Sequence, residues 1–551
     1  MAKTAPIIAG HAAPALVIPR PLWQGTAFHG GRLHDRCHRP AEFFVGIQSF
    51  KGTLRMLKAL FRVKPVAPAG HVDAGEPFEG SLDGEATLKR TLTAKHLVLL
   101  GVGAVIGAGI FVLTGQAAAN HAGPAIMLSF VLAGFACAMA GLCYAEFASM
   151  MPVSGSAYSY SYATLGEAVA WFIGWCLVLE YLFASSTVAV GWSGYLVSFL
   201  TSTLGVPFPE QLATAPITWA DGGFVATNGI INLPAVLIVA AVSGLCYVGI
   251  TQSAFVNAII VAIKVVVIAA FLGFGVQYVD PANWTPFIPE NTGPGQFGMD
   301  GVFRAATIVF FAYIGFDAVS TAAGEAKNPQ RDMPKGILGS LAICTVIYIA
   351  VCAVLTGMTH YSLLGTAKPV ATALEEVLKA DPGASVGWLK TAVEIGAIAG
   401  LSSVILVMLM AQPRIFYSMS RDGLLPRLFG KVHPKFHTPY VGTIIVGVLA
   451  CLLAGFMPLS VLGELVSMGT LLAFATVCLG VLVLRFTRPD LARPFRVPMF
   501  WLICPLGVLA CLFLFMQSFM EHWQIFVGWT VLGQVIYFAY GFRNSKLRQR
   551  A

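Results

Sequence analysis

Gly101-Val-Gly103-Ala-Val-Ile-Gly107-Ala-Gly109-Ile-Phe111 lies in the first long apolar run of the chain, and its reading decides what kind of helix that run can form. Four glycines fall within nine residues. Each weakens a helix by roughly 1 kcal/mol relative to alanine. Two readings follow. In one, the helix unwinds near mid-membrane, and the N–H groups opening its second half face an anion such as a carboxylate. In the other, Gly103 and Gly107 form a small-xxx-small face for tight helix packing. Glycine alone leaves both open.

Working outward, apolar runs of roughly 20 residues recur from about residue 97 to 542, each long enough to cross a hydrocarbon core of about 30 Å. Ala254 to Tyr278 is broken only by Asn257, Lys264 and Gln277. At ~1.5 Å per residue it spans about 37 Å as a helix. Open sheets cannot hide their backbone polar groups in lipid, so the runs are helices. The 551 residues are 57% hydrophobic and 11% charged, against about 25% charged for an average soluble chain. Spans are expected near 97–116, 123–150, 167–202, 232–250, 253–278, 302–324, 336–358, 387–420, 440–457, 462–485, 497–517 and 522–542. The fold class is therefore an all-α membrane protein with 12 transmembrane helices.

The net charge of +8 does not indicate nucleic acid, because the bases sit in particular loops between apolar runs. Lys89, Arg90 and Lys95 precede the first span. Lys327, Arg331 and Lys335 follow the sixth; Arg421, Arg427, Lys431 and Lys435 follow the eighth. Arg488, Arg493 and Arg496 follow the tenth, and Arg543, Lys546, Arg548 and Arg550 lie in the tail. The alternate loops 203–231 and 279–301 have no Lys or Arg, and 359–386 is mixed. The excess of bases marks the cytoplasmic side, so both termini are expected in the cytoplasm of a cell whose inner membrane holds the chain. The eleven cysteines are scattered, with no CxxC pair and no metal-ligand spacing. They read as small apolar fillers, and no metal site is expected.

Residues 1–87 are rich in Pro, Gly, Ala and His and lack periodicity, so a disordered cytoplasmic extension is expected. Met56 begins a basic amphipathic stretch suited to the inner leaflet. Met56 is also an alternative start, which would make 1–55 an artefact of gene calling. The membrane domain is expected over 88–545, as a first repeat over 97–278, a second over 302–485 and two further helices over 497–542; 546–551 is expected to be a cytoplasmic tail.

The sixth span, Phe310-Phe-Ala-Tyr-Ile-Gly315-Phe-Asp317-Ala, bears on the first. A glycine two residues before an aspartate inside an apolar span reads as a second break, with Asp317 capping the following half-helix. The first and sixth spans are five apart and run oppositely, as two inverted five-helix repeats predict. Lys264 sits at the centre of the fifth span, too deep to snorkel easily. A central lysine costs about 2.5–3.5 kcal/mol on insertion scales, and burial disfavours a charged amine. Such a lysine suits proton coupling, or else a structural pair with a buried carboxylate, for which Glu180 in the third span is the candidate. Glu146 is expected at the interface, Ser402 and Ser403 bonded to their own backbone, and Trp171, Trp175 and Trp192 as packing residues.

These residues resemble the amino acid–polyamine–organocation superfamily, and within it the bacterial cationic-amino-acid-transporter-like permeases. The matching stretches are Gly103–Gly115, Pro152–Tyr158, Gly191-Trp-Ser-Gly-Tyr195, Phe316–Ser320, Glu325–Gly336 and Arg421-Asp-Gly-Leu-Leu-Pro426. The resemblance covers roughly 88–545. It implies a LeuT-type 5+5 inverted repeat plus two helices. It also implies that the substrate carboxylate meets backbone at Gly107, Ala108 and Gly109, and its amine meets carbonyls near Ile106, Phe311, Ala312 and Gly315. It implies that protonated Lys264 stands where sodium-coupled relatives hold an ion, with Glu180 as the acidic residue of the third span. The expected function is secondary active transport of L-amino acids, most simply proton symport by alternating access. The only cofactor expected is the coupling proton; the partners are an amino acid and the bilayer, with no nucleic acid. An exchanger and a non-transporting amino acid sensor are the alternatives. No paired catalytic acids, metal cluster or GxSxG motif points to an enzyme, and no selectivity-filter repeat to a channel.

Overall fold

A computed structural model of the chain describes residues 60–64, 92–151, 155–220, 223–249, 254–321, 326–436 and 438–549. The expected disorder over 1–87 and the question of the start fall outside them, save for 60–64. Among the described residues, seven helical stretches are long and apolar enough to cross a membrane, and two more apolar helices are shorter.

In chain order, α1 is Ala94–Val105, α2 Ile126–Met150, α3 Ser156–Thr164, α4 Glu167–Val178 and α5 Ala184–Ser198. A hairpin of β1 (Ile217–Ala220) and β2 (Gly223–Ala226) follows, then α6 (Leu233–Val248) and α7 (Ala254–Gly275). Next come α8 (Gly298–Phe310), α9 (Ala318–Thr321), α10 (Pro329–Met358), α11 (Pro369–Ala380) and α12 (Gly387–Arg421). The order closes with α13 (Tyr440–Phe456), α14 (Leu459–Thr487) and α15 (Phe500–Ile536). α10 packs on α1 and α2, α12 on α5 and α7, α13 on α6, and α14 on α15.

Local chemistry sets several boundaries. Asn232 caps α6, accepting from Ala235 N at 3.3 Å, and Gly249 closes it in the left-handed region at φ 79°. Pro329 occupies the first turn of α10, where its missing N–H costs nothing.

Four features differ from the sequence expectation. The loop 203–231 contains the antiparallel hairpin, with Trp219 opposite Phe224 and their rings edge to face at 4.9 Å. The loop 359–386 contains α11, whose Val370, Ala373, Leu374 and Val377 are buried at helical spacing. The last two expected helices are both present within Phe500–Ile536, here α15, but they meet without a loop, at a break at His522 where φ is −114° and ψ 22°. Residues 60–64 are docked: Lys64 N donates to Tyr162 O at 2.9 Å and Glu167 N to Arg62 O at 3.1 Å. Gly166 permits this approach. Its φ is +101°, and a Cβ there would lie 2.7 Å from the Phe61 backbone.

The elements end on two faces. The hairpin, α11 and the α15 kink share one, called here the hairpin face. Residues 60–64, α3, Asp422 and the C-terminal residues share the other, the tail face. Lys64 Nζ reaches Asp422 Oδ1 at 2.8 Å, and Lys546 N donates to Asp422 O at 3.0 Å.

Candidate functional site

The first span does break. α1 stops at Val105, and Ile106 takes the extended conformation, φ −71° and ψ 99°. The chain then returns to helix as a π-turn over Gly109–Leu113. The sixth span breaks as well. After α8, a tight turn spans Phe311–Tyr313, Ile314 is extended with ψ 133°, and Gly315 has φ +116°. The two breaks touch backbone to backbone. A Cβ on Gly109 would lie 2.2 Å from Ala312 Cα, and one on Gly315 would lie 2.9 Å from the Ala104 carbonyl. The glycines therefore serve unwinding and close approach together. Tyr348 of α10 joins the breaks, its hydroxyl 2.8 Å from Val105 O and 2.9 Å from Ala312 O.

Lys264 of α7 is 1% exposed. Its ammonium donates to Gly103 O and Ile106 O, both at 2.9 Å. These carbonyls belong to the end of α1, where a broken helix leaves acceptors without intrahelical partners and its dipole is negative. Gly400 on α12 leaves room for the side chain; a Cβ there would lie 2.8 Å from Lys264 Cε.

Glu180 is not the partner of Lys264, as the structural alternative required. It lies in a π-turn, Leu179–Phe183, between α4 and α5 and faces Asp317 and the Thr470 hydroxyl. Tyr181, next in the chain, donates to Asp317 Oδ2 at 2.7 Å. Asp317 stands just before α9, so the second break carries a carboxyl that meets the third span's carboxyl. The backbone carbonyls at the first break satisfy the lysine, leaving the acid free to turn to the second.

Between the breaks lies a small cavity of about 10 Å³, room for one water-sized molecule in this closed arrangement. It is lined by Ala104, Val105, Gly107, Ala108 and Gly109 from the first break, Phe311 and Ile314 from the second, and Val188, Val404 and Met408 from α5 and α12. No acidic or basic side chain lines it. Of the backbone positions singled out in the sequence, Gly107, Ala108, Gly109 and Phe311 line the cavity. Ile106 O is engaged by Lys264, Ala312 O by Tyr348, and Gly315 packs on Ala104.

The lesser candidates divide. Ser403 bonds Gly400 O at 2.8 Å and Ser402 bonds Ile398 O at 2.8 Å, their own helix as expected. Trp171 and Trp175 donate to Gly533 O and Trp529 O, packing α4 on α15. Trp192 donates to Ser402 Oγ at 2.9 Å. Glu146, expected at the interface, is buried against Arg485, with Oε2 at 2.6 Å from its NH2, and accepts from Val497 N at 2.8 Å. The sequence reading passed over Tyr181, Tyr348 and Arg304. For Arg304 a signal existed, since an arginine inside an apolar span calls for a named partner.

The chain matches the family model described as amino acid permease over residues 92–540. It is 47% identical over 467 residues to the branched-chain amino acid permease BcaP of Bacillus subtilis (strain 168), covering 85% of this chain and 96% of that protein. It is 44% identical over 493 residues to the methylthioribose transporter of the same organism, covering 90% of this chain and 100% of that protein. To the vacuolar cationic amino acid transporter 4 of Arabidopsis thaliana it is 39% identical over 409 residues, covering 74% of this chain and 65% of that protein. With a matched family model over most of its length, broken apolar helices enclosing a cavity and a multi-span membrane architecture, the chain belongs to the amino acid permease family of the amino acid–polyamine–organocation superfamily and is a transporter rather than an enzyme.

Proposed function

We propose that this protein imports an L-amino acid with an aliphatic side chain in symport with a proton, by alternating access across the cytoplasmic membrane. The cavity lining carries this reading. A zwitterion's carboxylate would meet the N–H groups that open the second half of the first span, and its side chain would meet Val188, Val404, Met408, Phe311 and Ile314. A cationic side chain would lie there with no carboxylate to pair it, at a heavy desolvation cost. The relative named for branched-chain amino acids agrees with this preference.

The coupling proton rides on Lys264. Its charge-assisted bonds to Gly103 O and Ile106 O join α7 to the break of the first span. Opening toward the tail face would hydrate the amine, release its proton and loosen that joint. Glu180 and Asp317 form a second proton-binding pair, since two carboxyls facing each other in a sealed interior cannot both ionise.

Twelve spans follow if the 57-residue stretch Ala94–Met150 crosses twice, turning at Gly123-Pro124, and α15 with its extension crosses twice, turning at His522. The shorter α6 and α13 and the interrupted α8–α9 complete the count within a 5+5 inverted repeat. Lys64 and Arg548, with the bases of the loops after the sixth, eighth and tenth expected spans, support a cytoplasmic tail face by the excess of Lys and Arg.

The test is uptake by purified protein in liposomes with an imposed pH gradient, inside alkaline. Leucine, isoleucine and valine should accumulate only with the gradient, while lysine and arginine should not. Counterflow that ignores the gradient would make the protein an exchanger; binding without uptake would make it a sensor.

A further inference from the structure

A line of hydroxyl groups outside the cavity runs from the Glu180–Asp317 pair toward the tail face. Asp317 stands just before α9, where Tyr181 donates to its Oδ2 at 2.7 Å. Ser320 lies one turn on, its backbone N donating to Asp317 O at 2.8 Å. α9 packs against α2 and α3. α2 brings Tyr144 to this junction, and α3 brings Ser156 and Tyr160, one turn apart on one side of the helix. Asp317 acts electrostatically on both tyrosines. The Tyr144 hydroxyl is directed at Ser156 and the Tyr160 hydroxyl at Ser320, yet neither pair closes a hydrogen bond. The two rings stand edge to face at 6.1 Å. The line ends on α3, which lies at the tail face against residues 60–64.

Burial makes this arrangement costly. The four residues are at most 1% exposed, and none of their hydroxyls has a hydrogen-bond partner among the described residues. A buried hydroxyl left unsatisfied is destabilising, and a buried tyrosine ordinarily finds a partner for its O–H. Packing needs only the rings. Tyr160 stacks on Phe147 at 4.8 Å, and Tyr144 meets Phe316 and Phe474 edge to face at 5.8 and 5.3 Å. Phenylalanine would pack the same way without the stranded oxygens. The rest of α3 shows what hydroxyls in a helix usually do. Ser161 and Thr164 bond their own backbone, at Ala157 O and Tyr160 O, both at 2.7 Å.

We propose that Tyr144, Ser156, Tyr160 and Ser320 form the path by which a proton passes between the Glu180–Asp317 pair and the cytoplasm. The path rests on the symport reading above and adds the route to it. A hydroxyl both accepts and donates, so each link takes a proton on its lone pair and gives up its own. The net step breaks one carboxyl O–H and forms one O–H on solvent water at the tail face, and every hydroxyl ends neutral. In this closed arrangement the line is sealed. Opening toward the tail face would admit water, which supplies the missing partners and completes the chain. The groups facing the pair suit a shared proton. They are Tyr144 of α2, Tyr160 of α3, Cys176 of α4, Tyr181 beside Glu180, and the Thr470 hydroxyl of α14. No basic side chain is among the groups acting on Glu180, so no ion pair competes for the proton.

The experiment uses the full chain in liposomes with a trapped pH dye, so that leucine uptake and proton entry are read together. Tyr144→Phe, Tyr160→Phe and the double variant remove only hydroxyls. Because those hydroxyls are unbonded, the melting temperature should not fall, and leucine counterflow without a gradient should persist. Proton transfer through a positioned group is worth about 10²–10⁴-fold in rate. In the double variant, gradient-driven accumulation and leucine-coupled proton entry should therefore both slow by about tenfold or more. Accumulation and proton entry equal to wild type would overturn the path. So would a double variant that loses counterflow or melts lower, since the hydroxyls would then be structural. Accumulation driven by a sodium gradient at fixed pH, and lost in the double variant, would overturn it in favour of a sodium site. Wild-type uptake with no proton entry would overturn the symport reading itself, and the path with it.

Discussion

The Lys264 ammonium lies 2.9 Å from the carbonyl oxygen of Ile106, the residue at which the first span stops being a helix. A helix that ends inside a membrane needs something to satisfy its last carbonyls, because lipid offers no donors. The lysine of the fifth span does this for the first. Structure and proposed coupling therefore converge on one pair of hydrogen bonds.

Replacing Lys264 with methionine keeps most of its volume and removes the donor. Gradient-driven accumulation should fall by about tenfold or more, as expected for loss of a charged hydrogen bond worth about 1.5–3 kcal/mol. Solute counterflow should survive at reduced rate. Accumulation equal to wild type would remove the lysine from the coupling scheme.

Gly400→Val tests the same joint without touching the lysine. A Cβ at 2.8 Å from Lys264 Cε pushes the side chain off its two carbonyls. The variant should show the Lys264→Met transport pattern while still titrating as a lysine-containing protein. Normal pH-driven uptake would mean the side chain reaches its acceptors by another path.

Glu180→Gln leaves Asp317 with a neutral neighbour of the same shape. Counterflow should persist, and the dependence of uptake on pH should shift, because one of the two proton-sharing acids is gone. An unaltered pH profile would reduce the pair to packing.

Substrate choice should follow the cavity wall. Val404→Ala removes two methyl groups beside Gly107. Since one methylene is worth about 1–3 kcal/mol of discrimination, preference should move toward bulkier aliphatic substrates by about tenfold in kcat/KM. Gly109→Ala should instead abolish transport, because its Cβ would strike Ala312 backbone at 2.2 Å. A functional Gly109→Ala protein would mean the two breaks can separate without harm.

On the hairpin face, Glu375 of α11 accepts from Lys368 at 2.7 Å and lies 3.0 Å from Lys390 of α12. Burial alone would raise its pKa, but the two lysines outweigh burial and hold it below the usual carboxylate range. A depressed carboxyl contributes stability that is fully present above its unfolded value, about 4.3, and is lost as pH falls through the lower folded value. Hydrogen exchange in α11 should therefore speed up only below about pH 4. In Glu375→Gln it should be fast at neutral pH too. Exchange that is equally slow in the variant would show the clamp holds nothing.

Much of this was legible in the residues. The glycines at 101, 103, 107 and 109 left unwinding and tight packing both open, and Gly315 before Asp317, five spans on, tipped the reading toward a pair of breaks. Lys264 was legible because a base at that depth is costly. Its partners were not: backbone carbonyls carry no residue signature, so the sequence offered Glu180 instead. The hairpin, α11 and the docked segment 60–64 were hidden because short elements held by packing leave little periodicity.

The sequence by itself determined the membrane class, the family and the two points where helices must yield, because these depend on local composition and run length. The tertiary structure alone decided who meets whom. It brought Lys264 to the first break, Glu180 to Asp317, and five apolar side chains around the cavity. Such pairings depend on how helices cross in three dimensions, and a linear pattern of polar and apolar residues does not encode the crossing in readable form.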